Sequence, residues 1–472
     1  MSRRQRGLDN EILRLAIPSI LANITVPLVG LVDMAIAGHL DTAGSLSAAS
    51  LIGGIAVGSM LFDLLYWNFG FLRVGTGGLT AQAFGKGDMR ESSEILARAL
   101  YLSLACGVFL IAVQWLFVKT AFLVVDCSPE AEMLASRYFF IRIWAAPATL
   151  SLMAFKGWFI GMQDGVSPMM TDLTVNIMNV AASLLLARGA GGWPGIGFDG
   201  IAWGTVAAQY TGLACACLLL FLRYKDRIGG SCRVLKPVLL FRGTGRFFSM
   251  NLDLFIRSLC FIVVYIGFTV FAAGYGDVAL ASASVLMKLM MLFSYFTDGF
   301  AYAGEALTGK YIGKKDLGSL RGTVKRIFVW SMSIGALSMV AYAFGTVPML
   351  HVMTSDPDVI ETASRYVPWI VLMPLAGCAA FTWDGIYIGA VAARPMRNSM
   401  LWATAVFFVC CYGFLVLSGN IHTAQADAAL ALHGLFFGYL AHLAARAAVL
   451  SAGYRKKILG IICCTGSSGS CK

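Results

Sequence analysis

The sequence predicts an all-α integral membrane protein with twelve transmembrane helices, in two six-helix lobes related by a pseudo-two-fold axis along the membrane normal. Three observations predict this fold class: the composition, the length of the apolar runs and an internal repeat. Of the 472 residues, 58% are hydrophobic and 13% are charged, which is about half the charged share of a soluble domain. This composition excludes a disordered chain, a collagen-like rod and an ordinary cytosolic globule.

The apolar residues form runs that are long enough to cross a bilayer, because about 20 helical residues span its hydrocarbon core. The first run is longer than the ~7–15 residues of a signal-peptide core and has no clear cleavage site, so we expect it to be a span. Gly, Pro and Asp residues separate the runs, as in turns. The twelve runs are residues 12–38, 45–72, 92–118, 132–160, 167–188, 199–222, 247–273, 277–303, 323–347, 357–388, 397–418 and 425–452.

The Lys and Arg residues are distributed unevenly between the loops. If the N-terminus is inside, most of the 36 basic residues lie in inner loops, and the outer loops hold little beyond Lys119 and Arg188. The positive-inside rule then predicts both termini in the cytoplasm of a cytoplasmic (inner) membrane protein. The same rule accounts for the net charge of +11, so we expect no nucleic-acid partner.

The second half of the chain repeats the first at a constant offset. The segment Ala-Ser-Arg-Tyr at 135–138 recurs at 363–366, and at the same offset Gly-Lys-Gly-Asp at 85–88 recurs as Gly-Lys-Lys-Asp at 313–316. Six spans per half is an even number, so both halves have the same orientation and a substrate site is expected between them. Further matches are Pro129 with Pro357, 159–161 with 387–389, and, one position short of the offset, 168–169 with 395–396.

This organisation predicts four segments and no appended soluble domain. They are an N-terminal lobe at 1–222, a basic cytoplasmic linker at 223–246, a C-terminal lobe at 247–452 and a cytoplasmic tail at 453–472. The 12 Cys and five His residues show no metal-ligand spacing, so we expect no metal. We expect a monomer in the lipid bilayer.

Several short segments, specific in combination, resemble the multidrug and toxic compound extrusion (MATE) family, in its DinF-like branch, over nearly the whole chain. The resemblance implies twelve helices in two lobes and export of amphipathic, often cationic, organic compounds. It also implies a coupling ion, H⁺ or Na⁺, and no other cofactor. The segments are Leu15-Ala16-Ile17-Pro18, Val29-Gly30-Leu31-Val32-Asp33, residues 66–73, residues 78–83, residues 298–306 and Trp383-Asp384-Gly385.

Asp33 is the leading candidate for ion coupling. An ionisable side chain inside a bilayer is costly and marks a functional site by default. Pro18 and Pro27 remove backbone hydrogen bonds from the same helix and allow it to bend. The resemblance implies that Asp33 is the essential first-helix aspartate of the family. The alternative is a hydrogen-bonded structural aspartate.

The fifth span carries a polar stripe of Asp172, Asn176, Asn179 and Ser183, whose spacings place all four on one helix face. The resemblance implies that Asn179 lies near the coupling aspartate and that Thr205 lines the same site. Many DinF-like proteins have a second acidic residue where this chain has Ser183. A two-carboxylate sodium site is therefore less expected than one protonatable carboxyl. Structural hydrogen bonding between helices is the alternative.

Lys288 lies near the middle of the eighth span. An unpaired ammonium there is costly, so it needs an acidic partner, loss of its proton or an anionic group. Asp384 and Asp253 are the candidate partners, although Asp253 also lies four residues before Arg257 and predicts an ion pair with it. The predicted cavity-lining residues are Lys288, Asp298, Glu305, Asp384, Asp253, Tyr66 and Asn68; Asp63 is a weaker candidate.

These observations predict a secondary active multidrug exporter that works by alternating access, with proton binding at Asp33. One alternative is a flippase for lipid-linked oligosaccharides, which would need a cationic cavity. A second is a membrane-embedded enzyme, for which we find no clustered catalytic residues. The segment Gly75-Thr76-Gly77-Gly78 lacks the Lys and Ser/Thr of a phosphate loop, which argues against direct use of ATP.

Overall fold

The computed structural model describes residues 3–40, 48–123, 125, 127–189, 192–228, 244–354, 356–417 and 428–465. Long helices account for most of these residues. The helices are α1 (Arg3–Gly38), α2 (Ala48–Trp67), α3 (Phe71–Lys86), α4 (Met89–Ala121), α5 (Pro129–Arg142), α6 (Ala146–Gly161), α7 (Val166–Arg188), α8 (Phe198–Ile228), α9 (Thr244–Ala273), α10 (Asp277–Gly313), α11 (Leu317–Met353), α12 (Pro357–Arg365), α13 (Val367–Gly389), α14 (Ala393–Leu417), α15 (Ala428–Tyr454) and α16 (Gly460–Thr465).

Within the described residues, eleven helical stretches are long and apolar enough to cross a membrane. Two of them are broken helices: α2 and α3 form the stretch Ser50–Lys86, and α5 and α6 form the stretch Pro129–Gly161. A 3₁₀ turn at Ile143–Ala145 interrupts the second one. Helix α14 lies at the remaining predicted position, residues 397–418. Each predicted span therefore has a helix.

The second span is longer than the sequence predicts. Its apolar run ends at residue 72, but α3 continues to Lys86, so Arg73 lies inside a helix and not in an inner loop. The glycine and threonine residues at 75–80 lower the hydropathy after the apolar run. Their small side chains are buried, which allows a close approach of helices that a hydropathy pattern does not show.

The described chain forms two compact units. The first unit is Leu21–Phe247, and the second is residues 1–20 with residues 248–472. The predicted lobe at 1–222 places residues 1–20 in the N-terminal half, whereas they pack in the second unit. Two ion pairs hold them there: Arg326 Nε lies 2.7 Å from Asp9 Oδ1, and Lys310 Nζ lies 2.8 Å from Glu11 Oε2. Most of the predicted linker, residues 229–243, lies outside the described residues.

Helix starts follow the internal repeat. Asp88 caps α4, because its carboxylate accepts a hydrogen bond of 2.8 Å from the backbone N–H of Glu91. Asp316, its counterpart in the second half, caps α11 by accepting one of 2.9 Å from Ser319 N–H. A side-chain acceptor at this position satisfies one of the free donors of a helix N-terminus. The repeated sequence therefore produces the same local structure twice.

The turns also repeat. Gly87 has φ +78° and Lys315, at the same offset, has φ +57°. Gln163 and Val391 are likewise paired, with φ +63° and +56°. Left-handed backbone conformations are rare for residues other than glycine. Their occurrence at paired positions indicates that both halves impose the same path on the chain.

The closest helix contacts repeat as well. A Cβ atom on Gly157 of α6 would lie 2.2 Å from the carbonyl oxygen of Arg73 in α3. A Cβ atom on Gly385 of α13 would lie 2.1 Å from the carbonyl oxygen of Ala301 in α10. The offset of the sequence repeat relates Gly157 to Gly385 and Arg73 to Ala301. Glycine is required at both contacts, since no other residue leaves room for the backbone of the neighbouring helix.

Candidate functional site

In the first unit, Asp33 of α1 is only 6% exposed. The Ser183 hydroxyl of α7 lies within hydrogen-bonding reach of its carboxyl group. The Oδ1 atom of Asp33 has no hydrogen-bond partner among the described residues. A buried carboxyl oxygen without a partner is unusual, since most buried polar atoms are hydrogen-bonded. It leaves an open position for a proton or a cation.

Two further predicted residues join this polar cluster. Asn179 Nδ2 donates a hydrogen bond of 2.9 Å to the Thr205 hydroxyl, which donates to the carbonyl oxygen of Ile201 at 3.2 Å. Ser183 donates to the same carbonyl at 3.3 Å. Asn179 on α7 and Thr205 on α8 thus form a neutral polar pair. Asn179 is one helical turn before Ser183, the residue that approaches Asp33.

Asn176 lies farther away. Its Nδ2 atom donates a hydrogen bond of 2.5 Å to Thr25 Oγ1 on α1. Thr25 is eight residues before Asp33, which is about 12 Å along a helix. Asn176 therefore connects α7 to α1 two turns away from the Asp33 carboxyl group.

Asp172 does not belong to the polar cluster. Its Oδ2 atom lies 2.6 Å from Lys156 Nζ on α6. At this end the polar stripe of the fifth span therefore faces α6, in keeping with the alternative of structural contacts between helices. Regular helical spacing places residues on one face, but it does not show where a neighbouring helix supplies a counter-charge.

Arg142 was missed by the sequence reasoning. It is the last residue of α5, directly before the 3₁₀ turn. Its guanidinium lies 4.7 Å from the centre of the Phe62 ring and 5.5 Å from that of Tyr138. It also donates a hydrogen bond of 3.1 Å to the Tyr138 hydroxyl. Cation–π contacts of this kind are strongest where water is excluded.

The same guanidinium is close enough to interact electrostatically with the carboxyl groups of Asp33 and Asp63. The cluster thus combines two acids and one base, so its net charge is −1 when all are ionised and zero after one proton binds. The signal was present in the sequence. An arginine within the fourth apolar run meets the same bilayer cost as Asp33.

Tyr66 and Asn68 lie beside this cluster, at the end of α2. The Tyr66 ring packs on Phe62, with centroids 5.5 Å apart, and its hydroxyl is close to Arg142. Asn68 Nδ2 donates to the carbonyl oxygen of Leu64 at 2.7 Å. Tyr66 is thus part of the charged cluster, whereas Asn68 supports the break between α2 and α3.

In the second unit, Asp384 of α13 binds two arginines. Arg446 Nε lies 3.2 Å from Asp384 Oδ1, and both Arg446 and Arg257 bind its Oδ2 atom. The predicted ion pair of Asp253 with Arg257 is wrong. Asp253 lies 2.6 Å from Arg397 on α14, because two residues one turn apart on α9 contact different helices.

Asp298 and Glu305 are seven residues apart on α10 but differ in exposure. Glu305 is completely buried, whereas Asp298 is half-buried and interacts electrostatically with Arg446. Residues seven apart lie on the same face of a helix, so this difference in burial arises from the different positions of the two acids along α10.

Lys288 of α10 is exposed and forms no ion pair with another described residue. Both predicted partners are wrong, since Asp384 binds Arg257 and Arg446 while Asp253 binds Arg397. Each arginine reaches its acid from an adjacent helix. The Lys288 ammonium remains on the accessible side.

Comparison with known proteins gives the family. The MatE family model matches residues 18–185 and 254–412. The chain belongs to the MATE family. DNA damage-inducible protein F of Escherichia coli is 33% identical over 428 residues, 90% of each chain. A probable multidrug resistance protein NorM of Photorhabdus laumondii is 24% identical over 395 residues, 83% of this chain and 84% of that one.

Solved MATE structures have the same fold. The eukaryotic MATE transporter AtDTX14 superposes with a TM-score of 0.79 at 13% identity, covering 98% of this chain and 100% of that chain. The predicted fold class of twelve transmembrane helices in two lobes is confirmed, as is the resemblance to the DinF-like branch. This MATE protein is a multi-pass membrane transporter and not an enzyme, as predicted.

Proposed function

We propose that this MATE protein is a secondary active exporter that exchanges amphipathic organic compounds for inward protons, with Asp33 as the coupling carboxyl. The observation that carries the proposal is the environment of Asp33. It is buried, has one oxygen without a hydrogen-bond partner among the residues that the structure describes, and lies beside Ser183 and Arg142. The name of the NorM relative, a multidrug resistance protein, supports drug-like organic compounds as substrates.

The cluster favours a proton over a sodium ion. Asp33 has hydroxyl and amide neighbours on α7 and α8, not a second carboxylate on those helices. The nearby Arg142 guanidinium opposes the approach of any cation to Asp33, a proton included. A proton needs only one carboxyl oxygen, whereas a sodium ion needs several oxygen ligands around it. Sodium coupling remains the second possibility to test.

Proton binding would change the charge balance around α1. While Asp33 is ionised it attracts Arg142. Once Asp33 is protonated, Arg142 is left with Asp63, and α1 is released to bend at Pro18 and Pro27. We propose that this change drives alternating access in the cytoplasmic (inner) membrane, with both termini in the cytoplasm and the protein acting as a monomer.

The test uses purified protein in liposomes loaded with ethidium on the substrate side. A proton gradient and a sodium gradient are imposed separately, on the wild type and on Asp33→Asn. The control variant is Asp226→Asn, which removes an exposed acid at the end of α8. We expect export on the proton gradient alone, lost in Asp33→Asn and retained in Asp226→Asn. Full export by Asp33→Asn would refute the coupling role.

A further inference from the structure

The accessible side of α10 carries the positive charge of Lys288, which forms no ion pair with another described residue. Ser284 and Lys288 are exposed, and Met291 and Tyr295 are half-buried. These four residues follow each other at intervals of four, three and four, which places them on one face of the helix. Met290 and Phe293, on the opposite face, are buried in the core of the second unit.

The ammonium group of Lys288 is too far from the start of α10 to reach the membrane interface. It lies eleven residues from the start of α10 at Asp277, about 16 Å along the axis, which is half the thickness of a ~30 Å hydrocarbon core. Lysine side chains reach the interface only from near a helix end. An ammonium at this depth therefore faces water, a counter-charge or a ligand.

The described acids of the second unit do not neutralise Lys288. Asp384 and Asp253 are bound by arginines. Asp298 is ten residues farther along α10, about 15 Å away along the axis, and interacts with Arg446. These three carboxylates are thus balanced by arginines of the same unit, while Lys288 forms no ion pair with a described residue.

We propose that this face of α10 binds the anionic group of an amphipathic substrate, and that Lys288 determines the specificity for it. The occupant is an organic molecule that carries a carboxylate on an apolar, aromatic body. The ammonium supplies the counter-charge, and Met291 and Tyr295 supply an adaptable apolar surface beside it. The inference rests on the proposed export function and adds a substrate class to it.

The experiment compares two probes that differ in one charge. Norfloxacin, a fluorescent fluoroquinolone with a free carboxylate, and its methyl ester are exported from liposomes by the wild type, Lys288→Gln and Lys288→Arg. Ethidium export measures whether each variant is a working exporter. The matched control is Lys314→Gln, which removes an exposed lysine at the end of the same helix.

We expect Lys288→Gln to raise the KM for the acid about tenfold, the loss expected for one charged hydrogen bond. The KM values for the ester and for ethidium should stay within about twofold, and Lys288→Arg and Lys314→Gln should resemble the wild type. Equal effects of Lys288→Gln on the acid and the ester, or no effect on either, would overturn the inference.

A second arm separates an exported carboxylate from a lipid phosphate. The same assay is run in vesicles of phosphatidylcholine alone and in vesicles with added phosphatidylglycerol. An effect of Lys288→Gln that depends on the anionic lipid would assign the site to lipid and overturn the inference. Failure of the wild type to export ethidium would refute the proposed function itself, independently of Lys288.

Discussion

The guanidinium of Arg446, only 2% exposed, binds the carboxylate of Asp384 inside the second unit. Arg257 binds the same carboxylate from α9. Two arginines on one acid leave a positive charge that the half-buried Asp298 helps to balance. Such a cluster adds little net stability, but removing one partner leaves a charge buried without compensation. The cluster is therefore sensitive to single substitutions.

Asp384→Asn should strongly destabilise the protein, by about 3–5 kcal/mol, because Arg446 keeps its charge and loses its carboxylate. Thermal unfolding in detergent should show a clearly lower apparent Tm. The control is Arg365→Gln, which removes a pair whose side chains are 62% and 72% exposed. It should change stability by less than about 1 kcal/mol. Similar shifts for both variants would contradict the structure of the cluster.

Gly385→Ala should prevent α13 from packing on α10, since its Cβ atom would lie 2.1 Å from the carbonyl oxygen of Ala301. Backbone cannot yield as a flexible side chain does, so we expect a loss of folded protein. Gly413→Ala in α14 is the control, because nothing lies within 4 Å of its new Cβ. The free energy of unfolding of that variant should rise by up to about 1 kcal/mol, because alanine favours a helix more than glycine does. Size-exclusion chromatography shows whether each variant is folded, and the apparent Tm reports its stability. A monodisperse Gly385→Ala protein would contradict the packing.

Arg142→Gln should impair proton-coupled export, because it leaves two acids without a base near Asp33. The double variant Arg142→Gln/Asp63→Asn restores the net charge of the cluster and should recover part of the loss. Coupled charges of this kind typically interact by about 0.5–3 kcal/mol, so a recovery of about tenfold in rate is expected. Initial rates of ethidium export measure this. If the double variant is as slow as the product of the two single effects predicts, Arg142 and Asp63 do not interact.

Asp164 should make stability depend on pH in the acid range. It lies in the turn between α6 and α7, outside the spanning helices, and its burial disfavours the charged form. Hydrogen bonds from the Ser167 side chain and backbone, together with the Arg223 guanidinium, outweigh burial and hold the pKa of Asp164 below its ordinary value of 3.8. The folded state therefore favours the ionised carboxylate. The resulting stability is present above pH 3.8 and is lost as pH falls through the lower, folded value.

At neutral pH, Asp164→Ala should cost about 1–2 kcal/mol, since the carboxylate also accepts hydrogen bonds from the first backbone N–H groups of α7. Apparent Tm values of the wild type and of the variant should converge as pH is lowered from neutral into the acid range. A difference that stays constant over this range would show that the Asp164 contribution does not depend on its charge.

The fold could be predicted from the sequence because the chain itself contains the repeated segments and the apolar runs whose lengths match the thickness of a bilayer. The family resemblance implied that Ser183 lies near Asp33, while regular helical spacing predicted only that Asp172, Asn176, Asn179 and Ser183 share one face of α7. The ion pairs could not be predicted. Asp253 and Arg257 are one turn apart, yet their partners Arg397 and Asp384 belong to two other helices. Which acid pairs with which base depends on how the helices pack against each other. The spacing of residues along one helix does not predict that packing.

The paired glycine contacts at 157 and 385 show what an ancestral duplication would have had to keep. The backbone framework is the same in both halves, down to the carbonyl groups that the glycines approach. The charged side chains next to these glycines are not part of this inheritance. Lys156 is a base bound by an acid, whereas Asp384, its counterpart in the second half, is an acid bound by two bases. One copied scaffold thus carries opposite chemistries, and each half was free to evolve its own ligand preference without refolding.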